Sequence, residues 1–525
     1  MGTINNSAKS ELNIKDKIQG IIKEPYKVFG IAMILFVILC YNVLILHNGY
    51  RFLNADDSSE LVLARILASQ HSILSKDWIY ASELRVLNTN LVFAPMFWIF
   101  SSWSMVRAVG GSVMLLLYVL SYILIPYAWK YDTKWFYLTA FILIMPYANP
   151  WQFFGLKMYY LPHVFISFLS FALVGFIYCS EGRKRTIYTV LLCVLALIAG
   201  LGGARSVEYT YAPLFLMALI AFIFDKGSKR LAIVSFVAAA CSAIGYLIND
   251  RVLSSIYSFH SYADVSFIQF TFEKLEWALD CILAAFGYSI GEYFMSVGGV
   301  CNVLAFIMTM LFLLSFVLLF KKRGSMSETQ RYMYYFAMIT FLLNTFLMIT
   351  GQNNEYADRF IAIGMVPSII FIDLIYRLYA DNKEWRSIAG TAVIASFLLI
   401  GANGYLNLLD ISANGERLGY INFVKEQGYD YGYATYWNAN ITTEMSNGEI
   451  DMTSLDPNAN KLVVYRWLTD ERLIDEKHDK AFLVLTRDER DMYDGSEPIY
   501  EDEYFCVFDI DGEKEISFEG ADLWG

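Results

Sequence analysis

Apolar runs, most of about 18 residues or more, recur along this chain of 525 residues and place most of it in lipid rather than water. About 20 residues rising ~1.5 Å each cross a bilayer core, where only a helix or a closed barrel satisfies every backbone group. Eleven such runs fall at 28–46, 104–127, 135–147, 159–179, 187–202, 210–225, 231–248, 299–320, 331–350, 361–379 and 388–407, the third being short. With 57% hydrophobic and 17% charged residues, an ordinary soluble protein is excluded. A secretory signal peptide is not expected, since 27 residues precede the first run and no small-residue cleavage site follows it.

Basic residues set the expected orientation, because loops rich in Lys and Arg stay in the cytoplasm. Lys9, Lys15, Lys17, Lys23 and Lys27 precede the first run and place 1–27 inside. Eleven crossings then put Arg183-Lys184-Arg185, Lys226 to Arg230, Lys321-Lys322-Arg323 and Arg377 to Arg386 on the same side. They put the first loop, 47–103, the long loop, 249–298, and the tail, 408–525, outside a cytoplasmic membrane. The tail holds 27 Asp and Glu against 10 Lys and Arg, which argues against nucleic acid or anionic lipid as its partner.

The expected fold is therefore a polytopic α-helical membrane domain over 28–407 followed by a small extracytoplasmic α/β domain over 408–525. In the first loop, Leu61 to Leu74 has near-helical apolar spacing, while Asn88 to Phe100, with Pro95, is too short to span. Both read as helices lying in the interface, as does Phe272 to Phe286 of the long loop, which also carries His260 and Asp264. In the tail, 461–465, 481–485 and 504–508 have strand length and Gly415 to Glu426 reads as a helix. Of the seven cysteines only Cys506 lies in the tail, so that domain has no internal disulfide, and no Cys/His pattern suggests a metal site.

The chemistry-bearing cluster is Asp56-Asp57-Ser58-Ser59-Glu60, about ten residues past the first run. A carboxylate at a membrane surface can deprotonate an acceptor hydroxyl, and a second can orient it or hold a divalent cation. A lipid phosphate leaving group needs a cation nearby, and Arg65, Arg107, Arg205 and Arg359 are the candidates. The alternative is that Asp56 and Asp57 cap the following helix. Arg205 and Glu208 belong to Gly202-Gly203-Ala204-Arg205-Ser206-Val207-Glu208, and Arg359 to the stretch Asn353 to Phe360; internal ion pairing is the alternative for both, and interfacial anchoring a second one for Arg359. The aromatic stretch Tyr147 to His163, with Gln152 and Lys157, suits a sugar or lipid contact or an interfacial belt. In the tail, Gly432 to Asn440 suits an acceptor contact or core packing.

The order Asp56-Asp57, Lys76-Asp77-Trp78, Pro95, Arg107 resembles the GT-C superfamily of integral-membrane glycosyltransferases. The likeness is closest to the branch of protein O-mannosyltransferases and lipid A aminoarabinose transferases, by motif over about 28–130 and by architecture alone over 130–407. Asp-Asp stands where relatives often carry Asp-Glu, and the Lys-Pro-Pro run before the interfacial helix is missing.

The resemblance implies a glycosyltransferase acting on the outer face of the membrane, which moves a sugar from a polyprenyl phosphate to a glycan, lipid or protein acceptor with inversion. The resemblance favours Asp56, the first of the pair, as the base, or failing that Asp57; Glu60, Arg65, Arg107, Arg205, Glu208 and Arg359 would bind substrate or phosphate. No cofactor is required by this reading; a divalent cation, Mg or Mn, shared by Asp56 and Asp57 is the alternative to Arg205 or Arg359 at the departing phosphate. A flippase of lipid-linked sugars and a polymerase or ligase of wall polysaccharide are the alternative readings. Charges clustered in loops and the absence of a repeat argue against a transporter.

Overall fold

The structure, a computed structural model, describes residues 24–81, 84–146, 158–259, 271–350, 357–379, 383–411, 414–475, 478, 480–495 and 497–517, without the side chains of 357–360, 383–386 and 513. Lys9 to Lys23, Gln152, Lys157, His260, Asp264, Asn353 to Tyr356 and the Arg359 side chain lie outside the described residues.

In chain order the main helices are α1 (Pro25–Asn48), α2 (Ala55–Gln70), α3 (Asn90–Met96), α4 (Trp103–Ala128), α5 (Lys134–Thr139), α6 (Leu161–Cys179), α7 (Gly182–Gly200), α8 (Ala212–Asp225), α9 (Lys229–Arg251), α10 (Phe272–Ala285), α11 (Val297–Lys321), α12 (Glu328–Thr350), α13 (Ala357–Met365), α14 (Ile370–Tyr379), α15 (Lys383–Leu409), α16 (Arg417–Glu426) and α17 (Tyr436–Met445). Among the described residues nine helical stretches are long and apolar enough to cross a membrane. They are α1 prolonged to Phe52, α4, α6, Val207–Asp225, α9 prolonged to Ser255, α11, α12, Ile361–Tyr379 and α15 from Ser387 onward. Of the two other expected spans, Lys134–Ile144 is a shorter apolar helix. The other, α7, begins with Arg183-Lys184-Arg185, which keeps its first turn too polar.

Side-chain contacts sort the helix ends onto two faces. On one, Tyr178 donates to Glu328 (2.7 Å), Arg377 pairs with Asp132 (3.0 Å) and Tyr379 donates to the Leu318 carbonyl (2.6 Å). On the other, Asn249 donates to the carbonyls of Leu84 (2.8 Å) and Leu201 (2.6 Å), and Asn414 to those of Tyr50 (2.7 Å) and Leu53 (2.9 Å). The first loop, the long loop and the tail thus share one face, and the basic loops share the other.

Between α7 and α9 the backbones meet through small residues. A Cβ on Gly245 would overlap the Leu197 carbonyl, and one on Gly200 the Ser242 carbonyl. Helices in lipid associate by such close packing, since no hydrophobic driving force separates them from acyl tails. Gly245→Leu is expected to lower the thermal midpoint of the detergent-solubilised protein and the yield of monodisperse material, an overpacking cost of about 1–3 kcal/mol.

The tail folds around a five-stranded sheet of order β3-β2-β5-β7-β6, made from β2 (Tyr431–Thr435), β3 (Asp451–Leu455), β5 (Ala481–Thr486), β6 (Tyr500–Glu501) and β7 (Phe505–Ile510). β2 runs parallel to β3 and β5, while β7 is antiparallel to β5 and β6. Alternate side chains feed two cores, as a pleated strand requires. Phe482, Val484 and Val507 pack with Tyr420 and Val424 of α16; Leu483, Leu485 and Phe508 pack on the opposite layer with Ile79 of the first loop. The expected strand at 461–465 forms only single bridges, Leu455 to Val464 and Val463 to Ser517. Its apolar residues fill the core without joining a ladder. Gly432 to Asn440, left open between acceptor contact and core, forms β2 and the start of α17, and all but the half-exposed Trp437 of its large side chains are buried.

Two further strands, β1 (Trp78–Ile79) and β4 (Thr469–Asp470), pair antiparallel and join the first loop to the tail. As expected, α3 and the residues after it carry exposed apolar side chains, Trp98 and Ile99 among them. The α2 helix departs from the expected interfacial stripe: it is buried on most sides because α17 of the tail lies across it.

Candidate active site

Asn54 caps α2: its side chain accepts the Asp57 backbone N–H at 2.8 Å. The two aspartates are thus relieved of the capping role and occupy the first turn, where free N–H groups favour negative charge. Consecutive helical residues point about 100° apart, and these two part company. Asp56 lines a cavity; Asp57, 2% exposed, does not, and the Arg107 guanidinium donates to the Asp57 backbone carbonyl at 3.1 Å and lies close enough for the two side-chain charges to interact.

That cavity measures about 160 Å³, against ~10–15 Å³ for one water. Asp56, Ser59, Glu60 and Leu63 of α2 form one wall, one helical turn apart. Trp78, Tyr80, Arg85 and Asn88 of the first loop, Tyr159 and Tyr160 before α6, and Trp467 and Leu468 of the tail complete it. Glu60 accepts a hydrogen bond from Thr89 just before α3. Tyr436 of the tail donates to Asp56 Oδ1. Burial, and then the charge of Asp56, push the Tyr436 phenol well above its usual range, which keeps it protonated as a donor. Burial also pushes Tyr80 up to about 12.

Arg85 is the cation in the cavity wall, and among the described residues it forms no ion pair. The Arg205 guanidinium sits 5.6 Å from the centre of the Tyr160 ring, and the charges of both arginines reach His163 at the start of α6. Arg205 precedes a single π-helical turn, Val207–Tyr211, and Glu208 lies half-buried within that turn, outside the cavity wall. Irregular turns of this kind often mark sites that bind or react.

The other expected residues go elsewhere. Arg107 makes a bidentate pair with Glu444 of α17, both contacts 2.8 Å, with each side chain 6% exposed. Arg65 pairs with Asp451 and stacks on Trp103, 5.3 Å from the ring centre. Both arginines fasten the tail to the membrane domain, aided by Asn447, which accepts the Trp103 N–H at 2.9 Å.

Among the described residues no group of three or more His, Cys, Asp or Glu could hold a metal ion. Asp57 does not line the cavity, so Asp56 and Glu60 are its two carboxylates, a poor donor set for a resident Mg or Mn ion.

A second cavity, about 510 Å³, lies among the spanning helices. Its lining is almost wholly apolar, from Phe286 and Ala362 near the loop face to Leu318 and Tyr379 at the basic face. Along α11 it extends from Met308 to Leu318, about 15 Å at ~1.5 Å per residue.

The sequence reading missed Arg85, Asn88 and Trp467, which carry no local motif, and Tyr436, which lay within a stretch singled out for other reasons. No protein-family model matches the chain, and no curated protein matches it.

Proposed function

We propose that the protein is a membrane glycosyltransferase that takes a sugar from a polyprenyl phosphate on the outer face of the cytoplasmic membrane. The observation that carries this reading is the small aromatic-walled cavity holding Asp56, Glu60 and Arg85 on the face away from the basic loops. Two carboxylates, a cation and flat aromatic faces at a membrane surface suit a sugar carried on an anionic lipid. The apolar cavity among the helices suits the lipid chain. The sorting of loops supports eleven crossings, with Lys134–Ile144 and α7 as the two beyond the nine apolar stretches, and an inside N-terminus by the positive-inside rule.

Asp56 takes the proton of the acceptor hydroxyl as that oxygen attacks the anomeric carbon. The bond from that carbon to phosphate breaks with its electron pair, and polyprenyl phosphate leaves. One displacement inverts the anomeric centre. Arg85 and Arg205 stabilise the departing phosphate, with Arg359, in the first turn of α13, as a further candidate. Glu60 orients the sugar. The donor set fits a divalent cation poorly, and the charge on the phosphate is met by the arginines.

The test uses the purified full chain in lipid nanodiscs. It is offered undecaprenyl phosphate carrying radiolabelled glucose, galactose, mannose or N-acetylglucosamine in turn, with a cell-envelope glycan extract as acceptor. Label passing to the extract from one donor is expected; no transfer from any would contradict the reading. With the accepted donor, Arg85→Gln is expected to lower kcat/KM by about ten- to a hundredfold, the loss of a charge-assisted hydrogen bond to phosphate. Ala389→Trp, which fills the apolar cavity, is expected to raise the KM for the long-chain donor while sparing a short-chain analogue.

A further inference from the structure

The tail domain does more than lie on the membrane domain: it reaches into the cavity. Trp467 and Leu468 form part of the cavity wall, and Tyr436 bonds the carboxylate that faces it. Tyr436 opens α17 directly after β2, so its backbone is fixed by the sheet on one side and the helix on the other. Its ring is 3% exposed and packs edge-on to Trp437, at 5.1 Å between centres, and against Tyr465 at 5.4 Å. Two of the links described above tie α17 and the turn after it to α4, Arg107 with Glu444 and Asn447 with Trp103, and Arg107 also donates to the Asp57 carbonyl in the first turn of α2, across which α17 lies.

We propose that Tyr436 is a positioning residue for Asp56, so that the tail domain completes the active site. The inference rests on the transferase reading. A carboxylate on the first turn of a helix turns freely about its last side-chain bond. Tyr436 engages Oδ1 and thereby directs Oδ2 toward the cavity, where the acceptor hydroxyl must arrive in line with the anomeric carbon. A rigid phenol from a second domain fixes that direction better than a residue on the same loop.

The test compares Tyr436→Phe with wild type in nanodiscs, using the labelled undecaprenyl-phosphate sugar that wild type accepts. Loss of the bond is expected to lower kcat about ten- to a hundredfold. The donor KM is expected to stay within about twofold and the thermal midpoint to stay near wild type, since the ring and its packing remain. In an Asp56→Asn background the same change is expected to cost nothing further, because residues acting as a unit are not additive. A purely structural Tyr436 would lower the residual activity of that background by the same factor. An unchanged kcat for Tyr436→Phe, or a full additional loss on top of Asp56→Asn, would overturn the proposal. Absence of transfer by wild type would instead sink the transferase reading, and the inference with it.

Discussion

Asp56→Asn is expected to lower sugar transfer by about 10²- to 10⁴-fold, the usual contribution of a positioned general base. The amide keeps the shape of the carboxylate and still accepts from Tyr436, so the cavity and the docking of α17 persist. It cannot take the acceptor proton. Thermal midpoint and donor KM are expected to stay near wild type, and the loss to fall on kcat. Asp57→Asn makes the informative contrast, since Asp57 is buried beside Arg107 and does not line the cavity. Its expected effect is a lower thermal midpoint with kcat retained in the folded fraction. Turnover measured for both variants at a temperature where each is folded decides which aspartate is chemical; the reverse pattern would move the base to Asp57.

Arg107→Met carries the largest expected loss of stability. The guanidinium holds Glu444 by two bonds and neighbours Asp57, so its removal strands two buried carboxylates, which costs about 3–5 kcal/mol. Because Glu444 lies on α17, the tail is expected to loosen from α2 before the membrane helices melt. Limited proteolysis should release a fragment from the region after α15 in the variant and not in wild type. Adding Glu444→Met is expected to recover part of the loss, since a buried pair replaced by apolar residues is often tolerated when a half-removed pair is not. A single variant as protease-resistant as wild type would show that the other links suffice.

Much of the fold was legible because lipid imposes simple rules. Apolar length located nine helical stretches now long and apolar enough to span, and the basic loops fell on one face. Lys134–Ile144 was already short in sequence, and α7 is polar at its start, so length and composition alone leave both short of a span. The tail was less legible. β2 contains a glycine and four tyrosine, alanine and threonine residues with no alternation, because both its faces are buried. The run at 461–465 has strand composition, yet its hydrogen bonds go to the end of β3 and to Ser517.

At the site, the sequence marked Asp56 and Glu60, and only the resemblance favoured Asp56 over Asp57, since the two are told apart by distant residues, Tyr436 at the first and Arg107 at the second. Arg65 and Arg107 looked like phosphate ligands because their partners, Asp451 and Glu444, lie more than 330 residues away. Arg85 was invisible for the converse reason: a lone arginine in a loop acquires meaning only when α2, the residues before α6 and the tail close around it.

The most direct measurement is mass spectrometry of the cell-surface glycans in a strain lacking this chain, complemented with wild type or with well-expressed Asp56→Asn. Loss of one sugar in the deletion, its return with wild type and its continued absence with Asp56→Asn are the expected results, and they would name the sugar. Full return of that sugar with Asp56→Asn would contradict catalysis by this carboxylate.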